Sequence, residues 1–471
     1  MKNLMIYKYL GKVLMAFSLL LIFPVIVALI YSENIIPFLF PLILSLSAGL
    51  LLNNIKSSKV NLYAKDGFII VALSWLIISL LGSLPFLLNH DVNFVDSLFE
   101  SVSGFTTTGA SIFKDVEVLN KSILFWRCYT HFIGGMGVLA FVMAIAPLAK
   151  NDKSMHVLKA EMPGPSVAKL VPGIKKTLLY LYGIYICLTL VEIFLLLLGK
   201  MDLFDSVLLS MSTAGTGGFA VLNSGIASYS TYNQIVIAIF MFLFGVNFNI
   251  YFLIVMRDLK TALKSEELKY YFFICFLSIV MILINTFTMF SNIGQALKDS
   301  AFHVVSLMTS TGFAIGNINI YPTACRNLIL CLMLVSACAG STCGGFKISR
   351  LIICLKTIKR DFLKAIHPNS VHTITFEGKK VDEETINSTC SYLFLYGFFI
   401  IIIMMVVSFD NVSLSQTINA VFSTFANVGL CFEIETFAVF SSLSKVVLSI
   451  GMLLGRLEIF PLIVLFSDLK K

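Results

Sequence analysis

Charge is scarce in this 471-residue chain: 13% of its residues are Asp, Glu, Lys or Arg, while 58% are hydrophobic. Soluble domains carry about 25% charged residues, so an aqueous globular fold is excluded. Catalytic signatures are absent as well. The six histidines are scattered, and the sequence has no HExxH, Walker A loop, CxxC pair or nucleophile elbow, which leaves enzyme chemistry without its usual motifs. No basic segment is interleaved with aromatics, so the net charge of +8 does not indicate a nucleic-acid surface. The longest polar stretch, from Lys356 to Asn387, is too short for a nucleotide-binding domain.

Long apolar runs are present instead, and mean hydropathy is +0.92. A membrane-crossing helix needs about 20 mostly apolar residues, and ten stretches approach this, beginning near Val13, Ile35, Phe68, Ile123, Leu178, Ile235, Tyr270, Leu328, Tyr392 and Val446. The run from Val13 to Ile30 is too long, and lacks the cleavage site, for a signal peptide. Basic residues favour the cytoplasmic side. With the amino terminus inside, 26 of the 34 basic residues are cytoplasmic, seven lie opposite and Arg456 falls within the last span. Both termini are then cytoplasmic. Acidic residues divide twelve to each side, with Glu192 and Glu458 in apolar spans, so the outer face carries −5 and attracts cations. Of the ten cysteines, Cys187, Cys275, Cys331, Cys338, Cys343, Cys354 and Cys390 lie in or beside apolar spans and read as small packing residues.

An internal repeat follows the third, fifth, seventh and ninth spans. Four segments align without a gap: DSLFESVSGFTTTGAS from Asp96, DSVLLSMSTAGTGGFA from Asp205, DSAFHVVSLMTSTGFA from Asp299 and QTINAVFSTFANVGLC from Gln416. Each is too short to cross and ends in a turn whose glycine lies thirteen residues beyond the first position: Gly109, Gly218, Gly312 and Gly429. In three copies Asp followed by Ser is expected to open the helix as its N-cap. The unit is therefore helix, half-helix, turn, helix, in an all-α integral membrane fold of ten spans and four re-entrant half-helices. The boundaries are two N-terminal helices in 1–60 and repeats in 61–150, 171–260, 265–365 (with a mid-membrane loop) and 385–471. Irregular backbone at membrane depth is tolerated only where it is buried or lines an aqueous cavity, and four such turns at one axis can present carbonyl oxygens to a cation. Small residues packing helices together would account for one such cluster; four at one spacing favour an ion path.

The eighth span is interrupted by Gly340, Ser341, Thr342, Gly344 and Gly345, which predicts a mid-membrane loop or a kink. Arg456 is costly at depth and is expected to face a pore or partner; pairing with Glu458 or Glu192, or snorkelling, are the alternatives. His131 and His303 lie near the repeats, and His303, within a half-helix, reads as a packing residue. Lys169, Lys175, Lys176 and the stretch around Lys359 to Lys364 are solvated charges or docking surfaces.

With the four turns, the stretches GGMGVLAFVMAIAPL from Gly134, EMPGPSVAKLVPGIKKT from Glu161 and AGSTCGGFKISR from Ala339 resemble the pore-forming subunits of Trk-type potassium uptake systems, in the wider Trk/Ktr/HKT superfamily. The resemblance spans nearly the whole chain. It implies a pseudo-fourfold potassium pore in the plasma membrane (the bacterial inner membrane), a homodimer, and a cytosolic regulatory subunit that binds NAD or ATP; potassium is the substrate and no cofactor is carried. Carried over by position, the filter is Thr107, Thr108 and Gly109; Thr216, Gly217 and Gly218; Ser310, Thr311 and Gly312; and Asn427, Val428 and Gly429. Glycine at all four ring positions fits potassium, whereas Ser at the first accompanies sodium preference. The fourth copy departs, with Asn427 and Val428 in place of the Thr pair. The resemblance makes the loop from Gly340 to Gly345 a gate, and Arg456 is expected beneath the filter as a barrier. Three readings are carried: a gated, channel-like potassium uptake pore; a sodium- or proton-coupled symporter, which inverted repeats would favour but these same-direction repeats do not; and a pore subunit of an ATP-driven pump.

Overall fold

The outward faces of the long helices are apolar, with Phe194, Phe273, Phe276, Phe394 and Met405 all exposed, as a surface covered by lipid requires. The computed structural model describes residues 2–55, 64–89, 92–137, 174–290 and 292–469. Among these residues, six helices are long and apolar enough to cross a membrane: Leu4–Ile30, Ile36–Asn53, Lys65–Asn89, Leu179–Leu198, Glu266–Thr286 and Glu383–Asp410. Two further pairs are bent spans, Thr231–Phe244 with Phe248–Val255 at 91° and Ser442–Arg456 with Phe460–Phe466 at 117°. The stretch expected from Leu328 forms only the short helix Thr323–Leu334, because the chain turns extended at Val335 and pairs there with Phe346. The stretch expected from Ile123 is the helix Lys121–Gly135.

The breaks in the bent pairs have local causes. After Phe244 the chain restarts at Asn247, whose side chain accepts the N–H of Asn249. Beyond Arg456, Glu458 and Ile459 both take positive φ, 55° and 68°, a conformation that β-branched Ile rarely adopts. The N-terminal helices serve as a brace. Glu33 accepts the N–H groups of Lys121 and Ser122 at 2.7 and 2.9 Å, supplying the first turn of Lys121–Gly135 with the acceptors its end lacks.

Four short helices occupy the centre: Phe94–Phe105, Leu203–Gly215, Ile293–Met308 and Leu414–Phe425. Toward their carboxyl ends Ser and Thr residues are buried along with apolar ones, among them Ser101, Ser103, Ser210, Ser212, Thr213, Ser306, Ser423 and Thr424. Their starts correct the sequence expectation: the N-caps are Asn93, Asp202, Asn292 and Ser413. Asp96 and Asp205 are third in their helices and Asp299 seventh. A capping side chain earlier in the chain takes the role, as when Asn93 accepts Asp96 N–H at 2.9 Å and donates to its carboxylate at 2.9 Å. Among the described residues no cysteine is paired.

Gly11 and Gly49 let the helices Leu4–Ile30 and Ile36–Asn53 touch, since a Cβ on Gly49 would lie 2.9 Å from Gly11 O. Replacing Gly49 by Val is expected to separate these helices at a cost of about 1–3 kcal/mol, read as a lower unfolding midpoint in detergent.

Candidate functional site

The four half-helices end in the same way. Thr107, Thr216, Ser310 and Asn427 take left-handed φ values of 55°, 53°, 52° and 56°. Each donates its N–H to the carbonyl three residues back, and the next residue donates to the carbonyl five back, on Ser103, Ser212, Ser306 and Ser423, at 2.8 to 2.9 Å. This is the Schellman ending, which normally places Gly at the left-handed position. Thr, Thr, Ser and Asn there are strained by roughly 1–3 kcal/mol each. Two residues later the glycines follow with φ of 79°, 79°, 76° and 77° for Gly109, Gly218, Gly312 and Gly429. Gly218, not Gly217, is thus the equivalent residue in the second copy. The N–H groups are spent on the helix ends, and the turn carbonyls are left for other partners.

The turns form a closed ring. A Cβ on Gly109 would lie 1.9 Å from Gly217 O, on Gly218 2.0 Å from Thr311 O, on Gly312 1.9 Å from Val428 O, and on Gly429 2.0 Å from Thr108 O. Each glycine abuts the next turn, and the fourth returns to the first. All four line one end of an open cavity of about 530 Å³. Two turns carry hydroxyl pairs, Thr106 with Thr108 and Thr309 with Thr311, both at 2.8 Å. In the fourth turn Asn427 Nδ2 donates to Thr108 Oγ1 at 3.0 Å and to Met452 O at 2.9 Å, so this departure from the Thr pattern bonds to the neighbouring turn.

Residues that repeat analysis passed over hold the chain as it leaves each turn. Glu100 accepts Ile112 N–H at 3.0 Å, and His303, at the same place in the third copy, accepts Ile315 N–H at 3.3 Å. In both cases acceptor and donor are twelve residues apart. The second copy has Leu209 there; instead His131 accepts Phe219 N–H at 3.3 Å through Nε2, and its Nδ1 lies 2.9 Å from Gly104 O. Arg127 is the central tie. It pairs with Glu100 at 2.8 Å, the two side chains 2% and 0% exposed, and donates to Ser111 Oγ at 3.1 Å and Ala220 O at 3.4 Å. Further out, Asn223 donates to Asp115 at 2.8 Å, and this bond holds the Asp115 carboxyl below its ordinary pKa.

Beneath the ring, residues 335–347 are irregular and pack against the third and fourth turns. Gly344 N–H donates to Ser310 Oγ at 2.9 Å; a Cβ on Gly344 would lie 2.6 Å from Asn427 Cβ, and one on Gly345 3.4 Å from Ala426 O. Gly340 O accepts Phe248 N–H at 3.1 Å, and Ser341 Oγ donates to Cys338 O at 2.6 Å. Arg456 Nη1 donates to Thr342 O at 2.7 Å, and Nη2 donates to Gly134 O and, at 3.0 Å, to Gly135 O. Glu458 pairs with Arg350, while Glu192 is fully buried with neither carboxyl oxygen hydrogen-bonded among the described residues. The structure thus brings all twelve turn residues, the loop and Arg456 together. Lys359 and Lys364 are exposed on the helix Ile348–Ile366, away from this cluster in sequence; Lys169 lies outside the described residues, as do the side chains of Lys175 and Lys176.

Removing one partner of a buried ion pair costs roughly 3–5 kcal/mol. Glu100→Ala is therefore expected to lower the unfolding midpoint more than Glu433→Ala, at the exposed Arg326 pair, with both read by thermal unfolding in detergent.

The cation transport protein family TrkH matches residues 33–470. The chain is 32% identical to the Trk system potassium uptake protein TrkH of Escherichia coli K12, over 98% of each chain. It is 31% identical to TrkG of the same organism, over 97% of this chain and 96% of the other. The crystal structure of the potassium transporter TrkH from Vibrio parahaemolyticus superposes with a TM-score of 0.88 at 27% identity, covering 99% of this chain and 98% of that one. Family match, full-length relatives and shared fold agree, and the chain belongs to the TrkH family of cation transport proteins.

Proposed function

We propose that this chain takes up potassium across the plasma membrane through a gated, channel-like pore whose filter is main-chain carbonyl oxygen. The observation that carries the reading is the closed ring of four glycine turns, each abutting a carbonyl of the next. Backbone N–H groups are bonded into the half-helix ends, so the oxygens remain to replace a potassium ion's water shell. Four half-helices direct the partial negative charge of their carboxyl ends to the ring. Filter oxygens come from Thr107, Thr108 and Gly109, Thr216, Gly217 and Gly218, Ser310, Thr311 and Gly312, and Asn427, Val428 and Gly429.

In this reading the polypeptide makes ten spans with both termini cytoplasmic, and the loop containing Gly340, Ser341, Thr342, Gly344 and Gly345 closes the path below the filter. Arg456 adds a fixed positive charge that repels cations until the loop shifts, an effect strengthened where water is excluded. The chain acts as a homodimer, and a cytosolic subunit that binds NAD or ATP acts on the gate. The names of the relatives, potassium uptake proteins and a potassium transporter, support the choice of ion.

Liposomes carrying the purified chain are expected to pass potassium and rubidium and to reject sodium and lithium. In Gly312→Ser, whose Cβ would press on Val428 O, discrimination is expected to fall about tenfold or more, equivalent to ~1.4 kcal/mol. Equal flux of all four ions through the unaltered protein would sink the filter assignment. For the gate, Arg456→Ala is expected to raise potassium flux with the order of ion preference retained; unchanged flux and gating would remove Arg456 as the barrier.

A further inference from the structure

Main-chain oxygens from two distant parts of the chain converge on Arg456. The helix Lys121–Gly135 ends at this point, so Gly134 O and Gly135 O belong to its last turn and carry its partial negative charge; Gly134 O accepts Gly137 N–H at 2.8 Å and keeps its second lone pair for the guanidinium. A Cβ on Gly134 would lie 1.9 Å from Phe105 O, and one on Gly135 2.5 Å from Gly215 Cα, so this helix end rests directly on the ends of the first two half-helices. Thr342 O arrives from the gate loop. The guanidinium donates to all three oxygens, and the neighbouring carbonyl, Cys343 O, accepts from Lys347 Nζ. Arg456 itself is only partly buried. A cation is thus held in a set of carbonyl oxygens at a helix carboxyl end, the donor type that suits a weakly hydrated monovalent ion.

We propose that Gly134 O, Gly135 O and Thr342 O form a second monovalent-cation site, below the filter, which Arg456 occupies in this state as a tethered cation. The proposal rests on the pore reading above and deepens it. The gate and the permeating ion then compete for the same oxygens. When the guanidinium withdraws, a potassium ion takes its place, so opening does not remove a cation from these oxygens without replacement, a loss that is costly where water is excluded. The closed state in turn has its barrier charge held in place by the oxygens an ion would use.

The test is rubidium anomalous diffraction from crystals of the unaltered protein and of Arg456→Ala, grown in rubidium chloride. Rubidium in the filter ring of both serves as the occupancy reference. The variant is expected to show a further peak bounded by the carbonyls of Gly134, Gly135 and Thr342, at rubidium concentrations that fill the ring, while the unaltered protein shows none there. Arg456→Lys, with a tethered ammonium in reach, is expected to lack the peak. Arg456→Met, uncharged and similar in length, serves if the alanine variant does not fold. A filled ring with an empty cage in the uncharged variant overturns the site. Flux through the same variant separates the two readings: raised flux with an empty cage keeps the pore and discards the site, whereas unchanged flux with a filled cage keeps the site and discards Arg456 as the barrier.

Discussion

Backbone that is neither helix nor sheet must be satisfied at membrane depth without water, and the centre of this protein is organised around that constraint. Each turn meets it by the same device. Its amides donate back to the end of its own half-helix, down to the serine carbonyl five residues behind, and its carbonyls stay unspent. Left-handed conformations at Thr107, Thr216, Ser310 and Asn427 are what allow this geometry, although the first two are β-branched residues for which it is unfavourable. Strain of that kind persists only where the surroundings over-determine it.

Those surroundings differ from copy to copy. Glu100 with Arg127 fixes the exit of the first turn, His131 the second and His303 the third. At the fourth, Phe437 N–H donates to Ser111 O at 2.9 Å, and so leans on the exit of the first. Further out, Asn223 joins the first exit to the second through Val116 N–H at 2.8 Å, and Asn319 joins the third to the fourth through Glu433 N–H at 3.1 Å. The ring has fourfold character in its backbone, whereas its supports correspond only between the first and third copies, so the same turn conformation is maintained by a carboxylate, two imidazoles and a neighbouring main chain.

Below the ring, the irregular loop is tied to polar elements outside the cluster of turns. Glu267, nearly fully buried, accepts Ala339 N–H at 2.7 Å and Asn247 Nδ2–H at 3.4 Å. Glu377, in the small hairpin Thr375–Phe376 and Lys379–Lys380, accepts from Glu267 N–H at 3.0 Å and Ser265 Oγ at 2.8 Å. Lys356, on the helix that follows the loop, donates to Thr375 O at 2.7 Å and pairs with Glu266. The hairpin, the start of Glu266–Thr286 and the loop are therefore joined by consecutive bonds. A bonded chain of this kind is a structural connection; coupling would be a free energy between states.

The sequence by itself determined the membrane class, the repeat and the residues of the turns, because hydropathy over about 20 residues and glycine at a fixed spacing are local properties. It misassigned the half-helix starts: a good N-cap pair at Asp96 and Ser97 is outcompeted by Asn93 three residues earlier, and only the observed cap contacts distinguish them. The supports were not legible. Glu100, Leu209, His303 and Ala420 share one repeat position, but only the first and third of them can accept a hydrogen bond and they differ in residue type, so periodicity passes over them. Only tertiary structure decided that Glu458 turns to Arg350 while Arg456 reaches three carbonyls. Their separation of two residues leaves either pairing open along the chain. The choice is made where the helix end at Gly135 and the loop at Thr342 come together, residues more than 200 positions apart whose oxygens converge only in the folded chain.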